Sequence, residues 1–248
     1  LTLLMKEMGR VALPSPFVST VLLAGCTVLN GGSEQQKQQI LPEIAAGNLL
    51  LSFALGESSA QPDAATVRTS ARRVGDDYVL NGSKHFVEFA EQADRMVVVS
   101  RTSESDSPES GLTVFLVDAK APGIEYVPLS TLAVQPQAKV LLKDVRVAAG
   151  DVIGRVDHGW EIVDPVIQAA TAIVCGYMSG IAEGAHELGL QYSKEREQFG
   201  QPIGAFQAIQ NYLATAWAKN LMGEYLSYYA AWLIDNDLPS REAVSTAK

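Results

Sequence analysis

Tyr192 to Gln210 reads YSKEREQFGQPIGAFQAIQ, and it decides how the second half of the chain is built. Before it, Val163 to Leu190 is rich in Ala, Ile, Val and Met with small residues interspersed; after it, Phe206 to Leu233 carries apolar residues at helical spacing. Gly200, Pro202 and Gly204 break the pattern between them. So short a break predicts antiparallel helices over Val163–Ser193 and Phe206–Leu233, presenting Arg196, Gln198 and Phe199 together at the end of a bundle. A guanidinium fork, an amide and an aromatic face suit a phosphate, a polar edge and a purine ring. The same residues also read as a plain helix end, with a cation beside the last carbonyls and Phe199 tucked into the core.

Composition bounds the rest. The 248 residues allow one large domain or two to three modest ones, and 47% hydrophobic residues support a substantial core. A net charge of -9 argues against a nucleic-acid partner. No uninterrupted apolar run approaches the roughly 20 residues of a membrane span, and no signal-peptide pattern opens the chain, so no membrane partner is expected. Cys26 and Cys175 lie among apolar residues without metal-ligand spacing, which reads as buried thiols in a reducing, cytoplasmic setting. His85, His158 and His186 are scattered, so no metal site is expected.

Residues 1 to 49 read as helices. Glu34 to Ile44 sets Ile40, Leu41 and Ile44 opposite Gln, Lys and Glu, after a start signal at Ser33 and before a stop at Gly47-Asn48. At Leu49 the period changes. Leu49–Leu55, Val67–Arg73, Tyr78–Leu80, His85–Val87, Met96–Arg101, Leu112–Asp118 and Lys139–Val147 predict six or seven strands, with hairpin turns at Gly75-Asp76-Asp77 and Asn81-Gly82. Strands so spaced predict a small antiparallel barrel or sandwich. The Ser-rich, acidic stretch Thr102–Ser110 reads as a solvated, mobile loop. After Gly159-Trp160 the helical period returns, and Ser240–Lys248 opens a further helix.

RxQFGxPI followed by FQAIQ resembles the signature of the acyl-CoA dehydrogenase family of flavoenzymes. GRVALPSPF near the start, GSEQQKQQILPEIAAG, NGSK and LKDVRV resemble other stretches of that family, in its usual order. The resemblance implies an α+β, multidomain fold: residues 1 to 49 end an N-terminal helical domain, 50 to 152 form a middle antiparallel β-barrel or sandwich, and 153 to 248 begin a C-terminal helical bundle. It also implies a longer protein, with helices before Leu1 and much of the final domain after Lys248. The implied chemistry is α,β-dehydrogenation of an acyl-CoA thioester with FAD, an electron-transfer flavoprotein as acceptor, and a homo- or heterotetramer.

In such a protein the turn at Arg196, Gln198 and Phe199, with Gln207 beyond it, holds the adenosine diphosphate end of a neighbouring subunit's FAD. The positions facing the flavin ring fall at Leu55, Gly56, Phe86, Val87 and Glu88. Here the sequence departs from the family. Its TEPxAGSD stretch is Gly56-Glu57-Ser58-Ser59-Ala60-Gln61-Pro62-Asp63, agreeing only at Glu57, Ala60 and Asp63, and its WIT is Phe86-Val87-Glu88. A carboxylate at Glu88 would be desolvated and repelled by a reduced flavin, and it cannot donate when ionised. The catalytic base is not identified: where a minority of the family carries it stands Ala170, with Thr171 for the common Arg and Gln168 for the Asp of the pantetheine arm. Glu161 and Asp164 read as helix N-terminal charges. A chain that keeps the element serving its neighbour while its own ring contacts are eroded fits one subunit of a heteromer. An ordinary homotetramer and a non-catalytic acyl-CoA-binding scaffold remain as the other readings.

Overall fold

The computed structural model describes residues 1–59, 62–132 and 135–248. In chain order it has helix α1 (Thr2–Arg10), a π-helical run (Val18–Gly25) leading into α2 (Cys26–Gly31), and α3 (Glu34–Ala45). Strands follow: β1 (Leu51–Ala54), β2 (Ser70–Val74), β3 (Asp77–Glu88), β4 (Arg95–Arg101), β5 (Leu112–Asp118), β6 (Ile124–Leu129), β7 (Gln137–Val147) and β8 (Val152–Ile153). Then come α4 (Trp160–Glu195), the two-residue strands β9 (Glu197–Gln198) and β10 (Gln201–Pro202), α5 (Gln207–Asp235) and α6 (Arg241–Ala247). Two compact units result, one of Pro14–Ile167 and one of Leu1–Leu13 with Gln168–Lys248.

In the Pro14–Ile167 unit, α3 begins where Ser33 closes a reciprocal cap: Gln36 N donates to Ser33 Oγ at 3.2 Å, and Ser33 N to Gln36 Oε1 at 2.9 Å. Its sheet runs β6-β7-β3-β2-β4-β5-β8, with β1 joined to β4 in parallel. Alternation decides which side chains go where, since successive residues of a strand face opposite ways. Met96, Val98, Phe115 and Val117 enter one core, while Val97, Val99, Val114 and Leu116 enter another that also takes Val28 of α2 and Ile40 of α3. Both faces of β4 and β5 are therefore buried, which explains their unbroken apolar runs. β6 has no counterpart among the expected strands; its pattern is largely exposed, and Pro128 is tolerated because β6 lies at the sheet's end.

One expected turn is overturned. Gly75-Asp76 does turn β2 into β3, where Val74 pairs with Asp77. Asn81-Gly82 does not turn; it lies inside β3, at a register shift against β7 between Leu80 and Gly82. The glycine is required for a different reason. Gly82 has φ +152°, and a Cβ there would fall 2.6 to 2.8 Å from Thr69 atoms, so the residue serves a bulge and a close approach between strands. Asn81 clips β3 to the bend of β7, its Nδ2 donating to Asp144 Oδ1 at 3.0 Å and its Oδ1 accepting from Asp144 N at 2.9 Å.

In the other unit, α4 and α5 are antiparallel. His186 Nε2 lies 3.1 Å from Leu213 O, Ser179 Oγ donates to Asn220 Oδ1 at 3.1 Å, and Ala172 meets Ala230, so contacts climb one helix as they descend the other. α1 packs backbone to backbone on α4. Gly176, Gly180 and Gly184 recur every fourth residue, and a Cβ on any of them would run into the α1 backbone, at Thr2, Lys6 and Arg10 in turn. Lys6 then bridges Glu183 of α4 and Glu224 of α5, 2.8 Å to each. By length and composition α4 is apolar enough to cross a membrane; counting uninterrupted apolar residues does not register this, because Asp164, Glu183 and Glu187 punctuate the helix. Cys175 is buried, Cys26 only half-buried, and both are unpaired.

The glycine contacts predict opposite signs for two similar substitutions. Replacing a helical glycine by alanine normally stabilises by about 0.5–1 kcal/mol. That gain is expected for Gly223→Ala in α5, where nothing lies within 4 Å of a new Cβ. Gly180→Ala is expected to lose about 1–3 kcal/mol instead, read by urea denaturation of the two variants side by side.

Candidate functional site

The expected ring-binding residues stand on two adjoining segments of the Pro14–Ile167 unit, the end of β1 and the end of β3. His85 N donates to Gly56 O at 2.8 Å and joins them. Beneath that bond is an ion pair with almost no access to solvent: Lys84 is 0% and Glu57 8% exposed, and Nζ lies 2.8 Å from Oε1. Lys84 Nζ also donates to Leu55 O at 3.2 Å, while Glu57 accepts from Arg68 N and Thr69 N, each at 2.9 Å. Burial drags the Lys84 ammonium down to about 8 although Glu57 opposes the shift. For Glu57 burial would raise the pKa, but the Lys84 charge and hydrogen bond, with help from Thr69, hold it below its ordinary value.

Phe86 and Glu88 carry the signs of a ligand surface. Phe86 falls in the register shift between Lys84 and Val87, has φ +54°, and exposes 63% of its surface. A large apolar side chain held in a strained backbone and turned to solvent is spent on something other than stability. Val87 turns the other way and is buried. Ser52 Oγ fixes Glu88 O at 2.9 Å. Burial pushes the Glu88 carboxyl up, with a hydrogen bond to Gln137 pulling against it. Sequence reasoning treated Glu88 as a desolvated carboxylate; the structure places it half-buried. Gly56 has room for a side chain, the nearest atoms to a Cβ being His85 O at 3.4 Å and Pro62 Cβ at 3.8 Å. Asp63 caps a short helical turn, accepting from Thr66 N at 3.1 Å; Ala60 and Gln61 lie outside the described residues.

The second group belongs to the unit with Gln168–Lys248. β9 and β10 pair across a two-residue turn in which Phe199 (φ +55°) and Gly200 (φ +83°) are both left-handed, the combination that a tight hairpin favours and that suits glycine but strains phenylalanine. Phe199 is 93% exposed, its ring edge-on to Phe206 at 6.1 Å. The core position allowed for it by the plain helix-end reading is overturned. Arg196 is held by its backbone, N to Tyr192 O and O from Ile203 N, each 2.8 Å. Its guanidinium has no hydrogen-bond or carboxylate partner among the described residues. Gln198 spends its amide on Glu197 O at 2.7 Å, and Gln207 is exposed at the first turn of α5.

Other expected positions are structural. Ala170 is buried, and Gln168 offers its amide oxygen to the Arg241 guanidinium at 3.1–3.2 Å once the amide is oriented by its neighbours. Glu161, in the first turn of α4, accepts from His158 Nδ1 at 2.7 Å and Arg155 at 3.0 Å and is held low chiefly by His158. Among the described residues no three His, Cys, Asp or Glu side chains are gathered to hold a metal.

Residues 52–145 match the family described as acyl-CoA dehydrogenase, middle domain, and residues 157–248 the acyl-CoA dehydrogenase C-terminal domain. The chain belongs to the acyl-CoA dehydrogenase family. It is 33% identical to the 3-(aryl)acrylate reductase of Clostridium sporogenes over 91% of this chain and 60% of that one. It is 32% identical to the caffeyl-CoA reductase-Etf complex subunit CarC of Acetobacterium woodii over 98% and 65%. The butyryl-CoA dehydrogenase structure from Megasphaera elsdenii superposes with a TM-score of 0.89 at 29% identity, covering 98% of this chain and 64% of that chain. The chain thus spans less than two thirds of the length of each. Acyl-CoA dehydrogenases are FAD-dependent, and the residues present fit that cofactor: an exposed, strained aromatic for a ring, and a guanidinium without a partner among the described residues beside an exposed aromatic for a nucleotide.

Lys84 was missed as a functional residue because a lysine in a strand reads as surface. Its signal was Glu57 in an otherwise apolar and small stretch, a carboxylate that needs a cation if it is buried. Lys84→Met leaves the Glu57 carboxylate buried without its cation and is expected to cost about 3–5 kcal/mol, part of which Glu57→Gln restores in the double variant. Glu57's folded pKa lies below its unfolded value, so its contribution is present above the ordinary carboxylate range and lost as pH falls through the folded pKa. Urea denaturation at neutral and acid pH should show that acid loss in the wild type and a smaller one in the double variant.

Proposed function

We propose that the chain forms a subunit of an FAD-dependent acyl-CoA dehydrogenase, acting on an acyl-CoA thioester at the α,β-carbons, and that its Arg196–Phe199 turn completes a FAD site at a subunit interface. The carrying observation is the turn itself: a guanidinium without a partner among the described residues and a phenyl ring 93% exposed, touching Phe206 only edge-on and held in a strained hairpin. Guanidinium binds a pyrophosphate through paired charge-assisted hydrogen bonds, and an aromatic edge or face packs on a purine. Bound FAD would supply the acceptor for the hydride lost by the acyl chain. Phe86 and Glu88 would offer side chains to the ring, and Leu55, Gly56 and Val87, whose side chains are buried or absent, would offer backbone. A family relative named as part of an Etf complex supports an electron-transfer flavoprotein as acceptor. Two unpaired thiols support a cytoplasmic setting.

The proposed assembly is a heterotetramer, because Gly56 and Glu88 replace a hydroxyl-bearing pair at the ring. A homotetramer is the second reading, favoured by Phe86, which keeps an exposed aromatic face at a ring position.

Arg196→Ala is expected to lower FAD retention of the purified assembly at least tenfold, with Arg196→Lys intermediate because it keeps the charge but not the fork. Flavin absorbance after gel filtration reads this directly. Full occupancy in Arg196→Ala would remove the turn from the cofactor site. Gly56→Thr with Glu88→Thr is expected to raise flavin content of this chain when purified without a partner; if the wild-type chain is already fully loaded alone, the homotetramer replaces the heteromer.

A further inference from the structure

The two ends of the Lys84–Glu57 pair are tied to different stretches of backbone. The ammonium is bound to the end of β1, where Nζ donates to Leu55 O at 3.2 Å as well as to Glu57 Oε1 at 2.8 Å. The carboxylate is bound to the approach to β2, where it accepts from Arg68 N and Thr69 N, each at 2.9 Å. The pair is therefore a dipole of fixed direction, positive toward Leu55 and negative toward Arg68 and Thr69. Gly56 follows Leu55 directly, and Phe86 stands two residues beyond Lys84 in β3. The segments expected to face a flavin ring thus border the positive end.

Burial decides how strongly that direction is felt. Charges sealed from solvent act through a low local dielectric, where a fixed charge counts for several times what it does in water. The nearby charges are weaker competitors. Lys139, which acts on His85, and Glu88 are both half-buried, so solvent screens them in part. A well-packed apolar pair would hold the same strands together without the cost of desolvating two ions, so the fold alone does not account for the charges.

We propose that Lys84 and Glu57 form a positioning pair for redox chemistry, whose positive end, fixed at Leu55 and Gly56, stabilises the negative charge that a flavin ring gains on reduction. The inference rests on the FAD reading above. A hydride delivered to a neutral ring leaves it with one more negative charge, and a preorganised cation favours that product without having to reorient. Lys84 acts here through its field and through the Leu55 carbonyl that it holds. The same field offsets the repulsion that a carboxylate at Glu88 brings to a reduced ring.

The test is a redox titration of the purified assembly against a reference dye, reading flavin absorbance, in mildly acid buffer where Lys84 keeps its proton and Glu57 its charge. Lys84→Met removes the positive end and is expected to lower the reduced-to-oxidised ratio of the flavin at fixed potential at least tenfold, which is about 30 mV for two electrons. Glu57→Gln breaks the same ion pair but removes only the negative end, and it is expected to leave the ratio level or raise it. Lys84→Met/Glu57→Gln, with no charge left unpaired, is expected to fall between Lys84→Met and the wild type. A pair that only held backbone would move both single variants in the same direction. That outcome, or no change in any variant, would overturn the proposal while leaving the FAD reading intact. Should Lys84→Met not fold, the double variant carries the comparison, and a ratio at or above that of the wild type would overturn the proposal. An assembly that retains no flavin even as wild type would overturn the FAD reading and this inference with it.

Discussion

An ammonium group sealed from solvent must be answered by an opposite charge, and the Lys84–Glu57 pair therefore constrains everything around it. Glu57 cannot move without breaking two backbone hydrogen bonds to Arg68 and Thr69, and Lys84 cannot move without releasing Leu55. Three segments far apart in sequence, the end of β1, the approach to β2 and the middle of β3, are thereby held at one point. The cost of burying two charges is accepted where it sets position: Gly56 and Phe86 lie one or two residues from the pair, so the candidate ring surface depends on one electrostatic contact.

The second unit is organised by the opposite means, the absence of side chains. Gly176, Gly180 and Gly184 let α1 approach α4 at backbone distance, and Lys6 then reaches two acids on different helices. Small residues bring the helices together, and the lysine fixes their register.

Legibility in the sequence followed the range of the interaction responsible. The apolar strand segments Met96–Arg101 and Leu112–Asp118, the start signal at Ser33 and the break at Gly200 are set by neighbours a few residues away, and each was readable as pattern. Asn81-Gly82 was misread because glycine after asparagine announces left-handed or close-packed backbone without saying which, and here Thr69, thirteen positions before the glycine, was the cause. Phe199 could be read as buried or presented until the hairpin showed its ring in solvent. Glu88 was legible as a residue, but the burial that raises its carboxyl pKa was not.

The unit containing α1 is discontinuous, with the whole of Pro14–Ile167 lying between α1 and the helices it packs against. Docking α1 closes a loop that would cost an unstructured chain on the order of 4–5 kcal/mol in entropy, a cost largely removed if the intervening unit has already folded. Synthesis runs in that order. At ordinary elongation rates α1 leaves the ribosome roughly 10–30 s before the glycines of α4 exist, and through that interval the backbone it lays against them has nothing to pack on. Assembly of this unit is therefore a late event in the life of the nascent chain, timed by translation and dependent on the maturation of its neighbour.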